Sequence, residues 1–172
     1  MVGGPTHRPE VEHGPNQKAP RMVKMIFFIR VKLKEIFNKG RAYPWPKPKA
    51  CLRCRDSKLW GHGYVESFFD GCNDAVLLKR YRCPLCGCIV KLKPCGYFNR
   101  FQASIKRIRF SIFYRLKYDR WPCGLSRSRQ GHWLRALKRK VEAYLGKTWK
   151  LGLIEAFDHL VSQGHNPVSR SI

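Results

Sequence analysis

The strongest constraint on the fold of this chain is a pair of Cys-x-x-Cys motifs. Cys51 and Cys54 form the first, Cys83 and Cys86 form the second, and 28 residues (55–82) separate them. Two such motifs, each on a tight turn, can supply four thiolates in the tetrahedral arrangement that zinc prefers. In the second motif a glycine follows, which permits the positive φ of a metal-binding turn. The first motif lacks that glycine and is the weaker half.

Segments typical of β-strands lie between and after the two motifs, at 58–69, 75–83 and 88–92, with a turn at 70–74. A sheet of this size rarely buries enough apolar surface to fold alone, so a bound metal would contribute directly to folding. We therefore expect a small β zinc ribbon over residues 50–96, with one structural Zn²⁺ held by the four motif cysteines.

The paired cysteines have two other interpretations. A redox role is disfavoured because no thioredoxin-like βαβ pattern accompanies the motifs. A catalytic zinc needs an open coordination position and a nearby general base, and His62 and Glu66 do not stand in a catalytic spacing. A closed structural site is favoured. The remaining cysteines are expected to be free thiols: Cys72, Cys88, Cys95 and Cys123.

The net charge indicates a polyanionic partner. The chain has 35 Lys and Arg against 11 Asp and Glu, a formal charge of +24. Residues 79–150 contain twenty of these cations and only two acids, Asp119 and Glu142. An ordinary solvated helix face interleaves acids with bases, so this distribution is typical of a nucleic-acid-binding surface.

Apolar periodicity predicts two helices in this basic half. Apolar residues recur at three- and four-residue steps over 98–116 and again over 133–145. The sequence DRWPCG (119–124) separates the two helices, and Gly146 ends the second. We interpret residues 97–146 as a helix-turn-helix-like DNA-binding region whose second helix enters the major groove.

Arginine and glutamine near the start of such a helix can contact guanine and adenine edges through two hydrogen bonds. Ser126 is suited to cap the helix. The alternative is that these charges only solvate a helix face. The side chains expected to contact double-stranded DNA are Arg127, Arg129, Gln130, Arg135, Lys138 and Arg139, with Lys106 and Arg107 from the preceding helix.

The N-terminal region, residues 1–49, is interpreted as a disordered basic tail and linker. Residues 1–21 are rich in Gly, Pro and charge and are too poor in apolar residues to build a core. A short basic amphipathic helix is expected at 24–38, ended by Gly40, and it could pack on the domain or lie on a membrane surface. The translation start is open between Met1, Met22 and Met25.

The C-terminal region, residues 147–172, is predicted to form a helix within 151–164 and a short tail. No run reaches the roughly 18 apolar residues of a membrane-spanning helix. The apolar stretch MIFFI (25–29) is too short for a signal-peptide core. We therefore expect an α+β protein without a membrane span, located in the cytoplasm and associated with the nucleoid.

The motifs resemble the N-terminal region of bacterial insertion-sequence transposases. The resemblance rests on CLRCRDSKLWGHGYVESFF, KRYRCPLCGCIVKLKP and the basic helical region, and it covers roughly residues 50–145. It implies zinc ligands at the four motif cysteines and DNA contacts in the helices. In those transposases an RNase H-like domain with three separated carboxylates follows. Here only Glu155 and Asp158 are acidic after Gly146, so we expect no strand-transfer activity.

The expected function is therefore that of a non-enzymatic, zinc-dependent DNA-binding protein of a mobile element. It would be an accessory subunit or a truncated transposase, with a separate catalytic transposase as a candidate partner. One alternative is an RNA-binding zinc-ribbon protein, in which Trp60, Tyr64 and Phe68 stack on bases. Others are a transcriptional regulator derived from a transposase and, least favoured, a small metal-dependent nuclease or deaminase, which lacks the required His-x-Glu spacing and paired carboxylates.

Overall fold

The computed structural model describes residues 23–56 and 58–170 and has the expected α+β class. In this part of the chain four strands form one sheet and four α-helices accompany it. The strands are β1 (Lys24–Ile29), β2 (Trp60–Ser67), β3 (Val76–Arg82) and β4 (Ile89–Pro94). The helices are α1 (Leu33–Lys39), α2 (Ile105–Tyr118), α3 (Arg127–Leu145) and α4 (Leu153–Ser162).

The sheet has the strand order β1-β4-β3-β2. Strand β3 pairs antiparallel with both β2 and β4, whereas β1 pairs in parallel with β4. Strand β4 is almost wholly buried, with five of its six residues buried. The three segments predicted as strands contain β2, β3 and most of β4.

The first strand corrects the prediction of a helix at 24–38. Residues Lys24–Ile29 form a strand, and only Leu33–Lys39 is helical. The sequence KMIFFI is rich in β-branched and aromatic residues, which favour strands, and it pairs along the edge of β4 that β3 leaves open. The predicted end at Gly40 is confirmed by its φ of 52°. Residues 1–21, predicted as a disordered tail, lie outside the described residues.

Buried apolar side chains form three clusters. The first lies against the motif cysteines: Ile29, Leu59, Tyr81, Val90 and Leu92 with Cys51, Cys83 and Cys88. The second joins α1 to the sheet: Ile36, Phe69, Val76 and Leu78. The third is the core of the helical half: Phe98, Ala103, Ile108, Ile112, Trp133, Leu137, Phe157, Leu160 and Val168.

Serine caps begin the two longest helices. Ser104 Oγ accepts a hydrogen bond from Arg107 N at 3.1 Å, and Ser126 Oγ accepts one from Arg129 N at 3.3 Å. Asp119, at φ 53°, ends α2 in the left-handed conformation. Helix α2 begins later than the periodicity predicted, because Phe98 lies before it in a loop and packs into the helical core. No described helix is both long enough and apolar enough to cross a membrane.

A buried lysine connects the sheet to the helical half. Lys93, on β4, is 5 % exposed, and its Nζ donates to the carbonyl oxygens of Phe98 at 2.6 Å and Phe101 at 3.4 Å. Burial, together with the nearby charge of Lys91, lowers the pKa of Lys93 to about 8. The amine therefore satisfies loop carbonyls, but its charged form is disfavoured.

We expect this lysine to make stability depend on pH. Between pH 8 and its ordinary pKa of 10.5, the amine binds more protons in the unfolded chain than in the folded one, so stability rises with pH in this window. Urea denaturation at several pH values should show this rise in the wild type and not in Lys93→Met. The difference between the unfolding free energies of the two proteins cancels the contributions of other titrating groups. If that difference does not change with pH, Lys93 is not the cause of the pH dependence.

Candidate metal centre and nucleic-acid interface

The structure brings the four motif cysteines together, although residues 55–82 separate the two motifs in the sequence. The Sγ atoms of Cys51, Cys54, Cys83 and Cys86 all lie within 4.8 Å of one another. Cys51 and Cys86 are 3.6 Å apart, and Cys54 and Cys83 are 3.5 Å apart. Sulfurs bound tetrahedrally at 2.3 Å from zinc would be about 3.8 Å apart. The cluster could therefore hold one metal ion with little rearrangement.

The two motifs adopt the same turn. In each, the amide of the residue after the motif donates to the carbonyl of its first cysteine, at 2.9 Å from Arg55 to Cys51 and 3.0 Å from Gly87 to Cys83. Arg55 has a φ of 63° and Gly87 a φ of 66°. The arginine thus adopts the left-handed conformation that glycine adopts more easily, and the first motif forms a matching turn despite lacking a glycine.

The local environment moves the pKa values of the two thiols of the first motif in opposite directions. Burial opposes ionisation of Cys51, but the backbone amides of Cys54 and Arg53 and the neighbouring thiols outweigh it and lower its pKa to about 6. The amide of Asp56 favours the thiolate of Cys54, but burial and the other three thiols raise its pKa to about 12. Four thiolates this close repel one another, and a divalent cation would take the place of the protons that otherwise remain.

Cys88 lies beside the cluster without belonging to it. Its side chain is fully buried, and burial, with the nearby charges of Cys51 and Cys86, raises its pKa to about 11. Its carbonyl accepts a hydrogen bond from Cys83 N at 2.9 Å, so its backbone supports the second turn. His62 and Glu66 do not join any potential metal-binding group of three or more residues among those described.

The matching turns generate a reciprocal pair of substitutions. Arg55→Gly should stabilise the metal-loaded protein by about 0.5 kcal/mol, because glycine adopts the left-handed conformation without strain. The gain is partly offset because glycine loses more conformational entropy on folding. Gly87→Ala should destabilise it by about 1–2 kcal/mol through backbone strain, since nothing lies within 4 Å of the added Cβ. Denaturant unfolding measures both effects. Destabilisation by Arg55→Gly would show that the arginine side chain matters more than its φ.

Helix α3 presents a basic face, defined here as Arg127, Arg135, Lys138 and Arg139, all exposed. The opposite face is buried and packs through Trp133 and Leu137. Glu142 is the only acid in the helix, and the first turn of α3 has none. Cations at the N-terminal end of a helix are unfavourable for its dipole, so this arrangement favours an external anion.

Gln130 does not belong to that face, and its assignment as a base-reading residue is wrong. The side chain is fully buried, and its Oε1 accepts from Ser111 Oγ at 2.6 Å. Its Nε2 donates to the carbonyl oxygens of Pro122 at 3.2 Å and Leu125 at 3.0 Å. The amide therefore holds α2, the connecting loop and α3 together. Its position three residues before Trp133, on the apolar stripe, was the signal that sequence reasoning missed.

Two arginines that were predicted to contact DNA instead make contacts within the protein. Arg129 forms a salt bridge to Asp70 at 3.0 Å, and its guanidinium lies 5.3 Å from the ring centroid of Trp133. Arg107 Nη2 donates to Gly124 O at 3.1 Å. Lys106 is exposed beside it. Of the residues predicted to contact DNA, Lys106 and the α3 basic face are exposed, whereas Arg107 and Arg129 also make contacts within the protein.

Comparison with known proteins finds no matching family model, curated protein or solved structure.

Of the three aromatic residues proposed to stack on bases, two are available. Trp60 is 65 % exposed and Phe68 is 59 % exposed. Tyr64 is engaged, because its hydroxyl donates to Arg41 O at 3.1 Å and Lys79 Nζ lies 4.4 Å from its ring centroid. Helix α2 exposes a further apolar group, formed by Phe110, Phe113 and Leu116, although Leu116 was predicted to end the apolar stripe of this helix.

Proposed function

We propose that this chain is a zinc-stabilised, non-enzymatic DNA-binding protein. The observation that carries the proposal is the α3 basic face, which lies opposite the buried side of a 19-residue helix with a single acid. A helix of that length is about 28 Å long and can follow a groove of duplex DNA while its cations contact phosphates.

The metal in the four-cysteine cluster is proposed to be zinc in a structural role. The support is the all-sulfur donor set, since soft thiolate ligands select zinc among the common divalent ions. The small sheet that carries the cluster would form the zinc ribbon. Helices α2 and α3, with their connection locked by Gln130, would form the helix-turn-helix-like unit.

Within this unit α3 acts as the recognition helix. Arg127 and Arg135 are suited to bidentate hydrogen bonds with guanine edges, because both are exposed on the basic face. Lys138 and Arg139, with Lys106 from α2, would contact phosphates and fix the orientation of the protein. Arg129 would support the surface through Asp70 instead of reading bases.

The biological setting proposed is a mobile element, in which the chain serves as an accessory subunit or a truncated transposase beside a separate catalytic transposase. Support comes from the sequence resemblance described above. RNA binding is the second candidate function, and the exposed rings of Trp60 and Phe68 favour it, because unpaired bases stack on aromatic side chains.

Titration of a labelled DNA duplex at increasing salt tests the proposed interface. Affinity should fall steeply with salt, because binding releases counterions from the phosphates. A triple variant of the α3 basic face should bind more weakly, and its slope of log K against log salt should be shallower by up to about 1.8, or roughly 0.9 for each of the two phosphates that Lys138 and Arg139 would contact. The variant is Arg135→Gln, Lys138→Gln and Arg139→Gln.

A matched control removes the same charge from exposed positions around α1: Lys34→Gln, Lys39→Gln and Arg41→Gln. It should leave the salt slope nearly unchanged. Equal weakening by the two triple variants would contradict a specific role for α3, and affinity that does not depend on salt would contradict the function itself.

A further inference from the structure

A groove lined by cations lies on the sheet, and none of the motif cysteines lines it. Its volume is about 460 Å³, and β1, β3, β4 and the loop after β4 contribute to its walls. Four cations line it and none of its lining residues is acidic. The cations are Lys24, Arg80, Lys91 and Arg100.

Two of these cations lie directly opposite each other on neighbouring strands. Arg80 of β3 and Lys91 of β4 are cross-strand partners in the antiparallel register, so their side chains project from the same face of the sheet. Like charges in this relationship repel and destabilise the pairing. A protein that gains nothing from the pair would be more stable with a neutral or acidic residue at one of the two positions.

No acid in the described part of the chain neutralises the pair. Neither residue takes part in any of the ion pairs there. Lys91 Nζ donates to Ser67 Oγ at 2.8 Å, and Arg80 Nε is buried without a hydrogen-bond partner. Burial and the charge of Arg80 together lower the pKa of Lys91, which agrees with this repulsion. The two cations are therefore suited to bind an anion of a ligand.

The groove continues past this pair along the surface. Asn99 and Arg100 line it together with two adjoining cavities of about 240 and 600 Å³. The larger of these reaches His132 on α3 and Arg170. The cationic surface therefore extends beyond the Arg80–Lys91 pair to Arg100, which lines all three cavities.

Exposed aromatic rings border the same path. Phe28 is 44 % exposed and lines the 460 Å³ groove, and Phe68 is 59 % exposed and lines the adjoining 240 Å³ cavity. Aromatic rings beside a cationic groove are the combination that binds single-stranded nucleic acid, because unpaired bases stack on the rings while the backbone follows the charges. In a duplex the bases stack on each other and cannot reach these rings.

We propose that this groove binds a single strand of nucleic acid. Arg80, Lys91 and Arg100 bind the phosphodiester backbone, and Phe28 and Phe68 stack on bases. The proposal rests on the nucleic-acid-binding function proposed above and adds a second surface with a different substrate, since the α3 basic face would bind the duplex.

Fluorescence anisotropy with a labelled 15-nucleotide oligo(dT) strand and a labelled 15-base-pair duplex tests the proposal. The double variant Arg80→Gln and Lys91→Gln should bind the single strand at least about tenfold more weakly, since about tenfold is the lower limit expected for the loss of a single charge-assisted hydrogen bond and the variant removes two cations. Its salt slope should be shallower by roughly 0.7 for each phosphate that the variant no longer neutralises. The variant's melting temperature should equal or exceed that of the wild type, because the like-charge repulsion is removed.

The matched control, Lys34→Gln and Lys39→Gln, removes the same charge outside the groove and should bind the single strand like the wild type. Phe28→Ala and Phe68→Ala together should weaken single-strand binding without changing the salt slope. Each effect should be much smaller on the duplex.

Single-strand affinity equal to that of the control would overturn the proposal, and so would an equal weakening of strand and duplex binding. Displacement of the strand by polyglutamate as effectively as by unlabelled oligo(dT) at matched charge would also overturn it, because it would show that base stacking contributes nothing. The triple variant of the α3 basic face separates the two proposals: if it binds the duplex normally while the groove variant no longer binds the single strand, the α3 assignment fails and the groove stands.

Discussion

The arrangement of the sheet depends on the contact between two turns that carry the cysteines. One turn, residues 51–54, precedes β2, and the other, residues 83–86, connects β3 to β4. Their sulfurs converge to within 4.8 Å, and a metal at that point would clamp one end of the antiparallel sheet, where β2 begins, β3 ends and β4 begins. The apolar cluster behind the cysteines is small, so this clamp would supply a large share of the folding free energy. The hydrogen bond from Cys83 N to the Cys88 carbonyl closes the β3–β4 turn, and the resulting register places Arg80 opposite Lys91.

The helical half is held to the sheet by polar contacts in which a lysine or an arginine binds a carbonyl or a carboxylate. Lys93 reaches from β4 to the carbonyls of the following loop, and Arg129 reaches from α3 to Asp70. Gln130 fixes α3 against α2 from the inside. The cations in the described part of the chain therefore fall into two groups, those with a carbonyl or carboxylate partner inside the protein and those without one. A few cations stabilise the fold, while the α3 basic face and the sheet groove retain charge that no acid in the described chain offsets.

Sequence reasoning predicted the features that depend on short-range spacing. The four cysteines, strands β2 to β4, the Ser126 cap and the end of α3 at Gly146 all follow from local patterns, and the structure places them as expected. Sequence reasoning failed at KMIFFI, which was predicted to be helical together with the basic residues that follow it. The segment instead forms a strand because it pairs with β4. Sequence reasoning also failed at Gln130, because polarity was taken as exposure although the residue lies on the apolar stripe. The Arg80–Lys91 pair depends on the register between two strands, which composition and periodicity do not determine.

Metal analysis of purified protein variants tests the central claim most directly. Elemental mass spectrometry should find one zinc per chain in the wild type and in Cys88→Ser, because Cys88 lies outside the sulfur cluster. The double variant Cys83→Ser and Cys86→Ser should contain none, since two ligands cannot retain a structural zinc. Absence of zinc from the wild type, or retention of zinc in the double variant, would contradict the account.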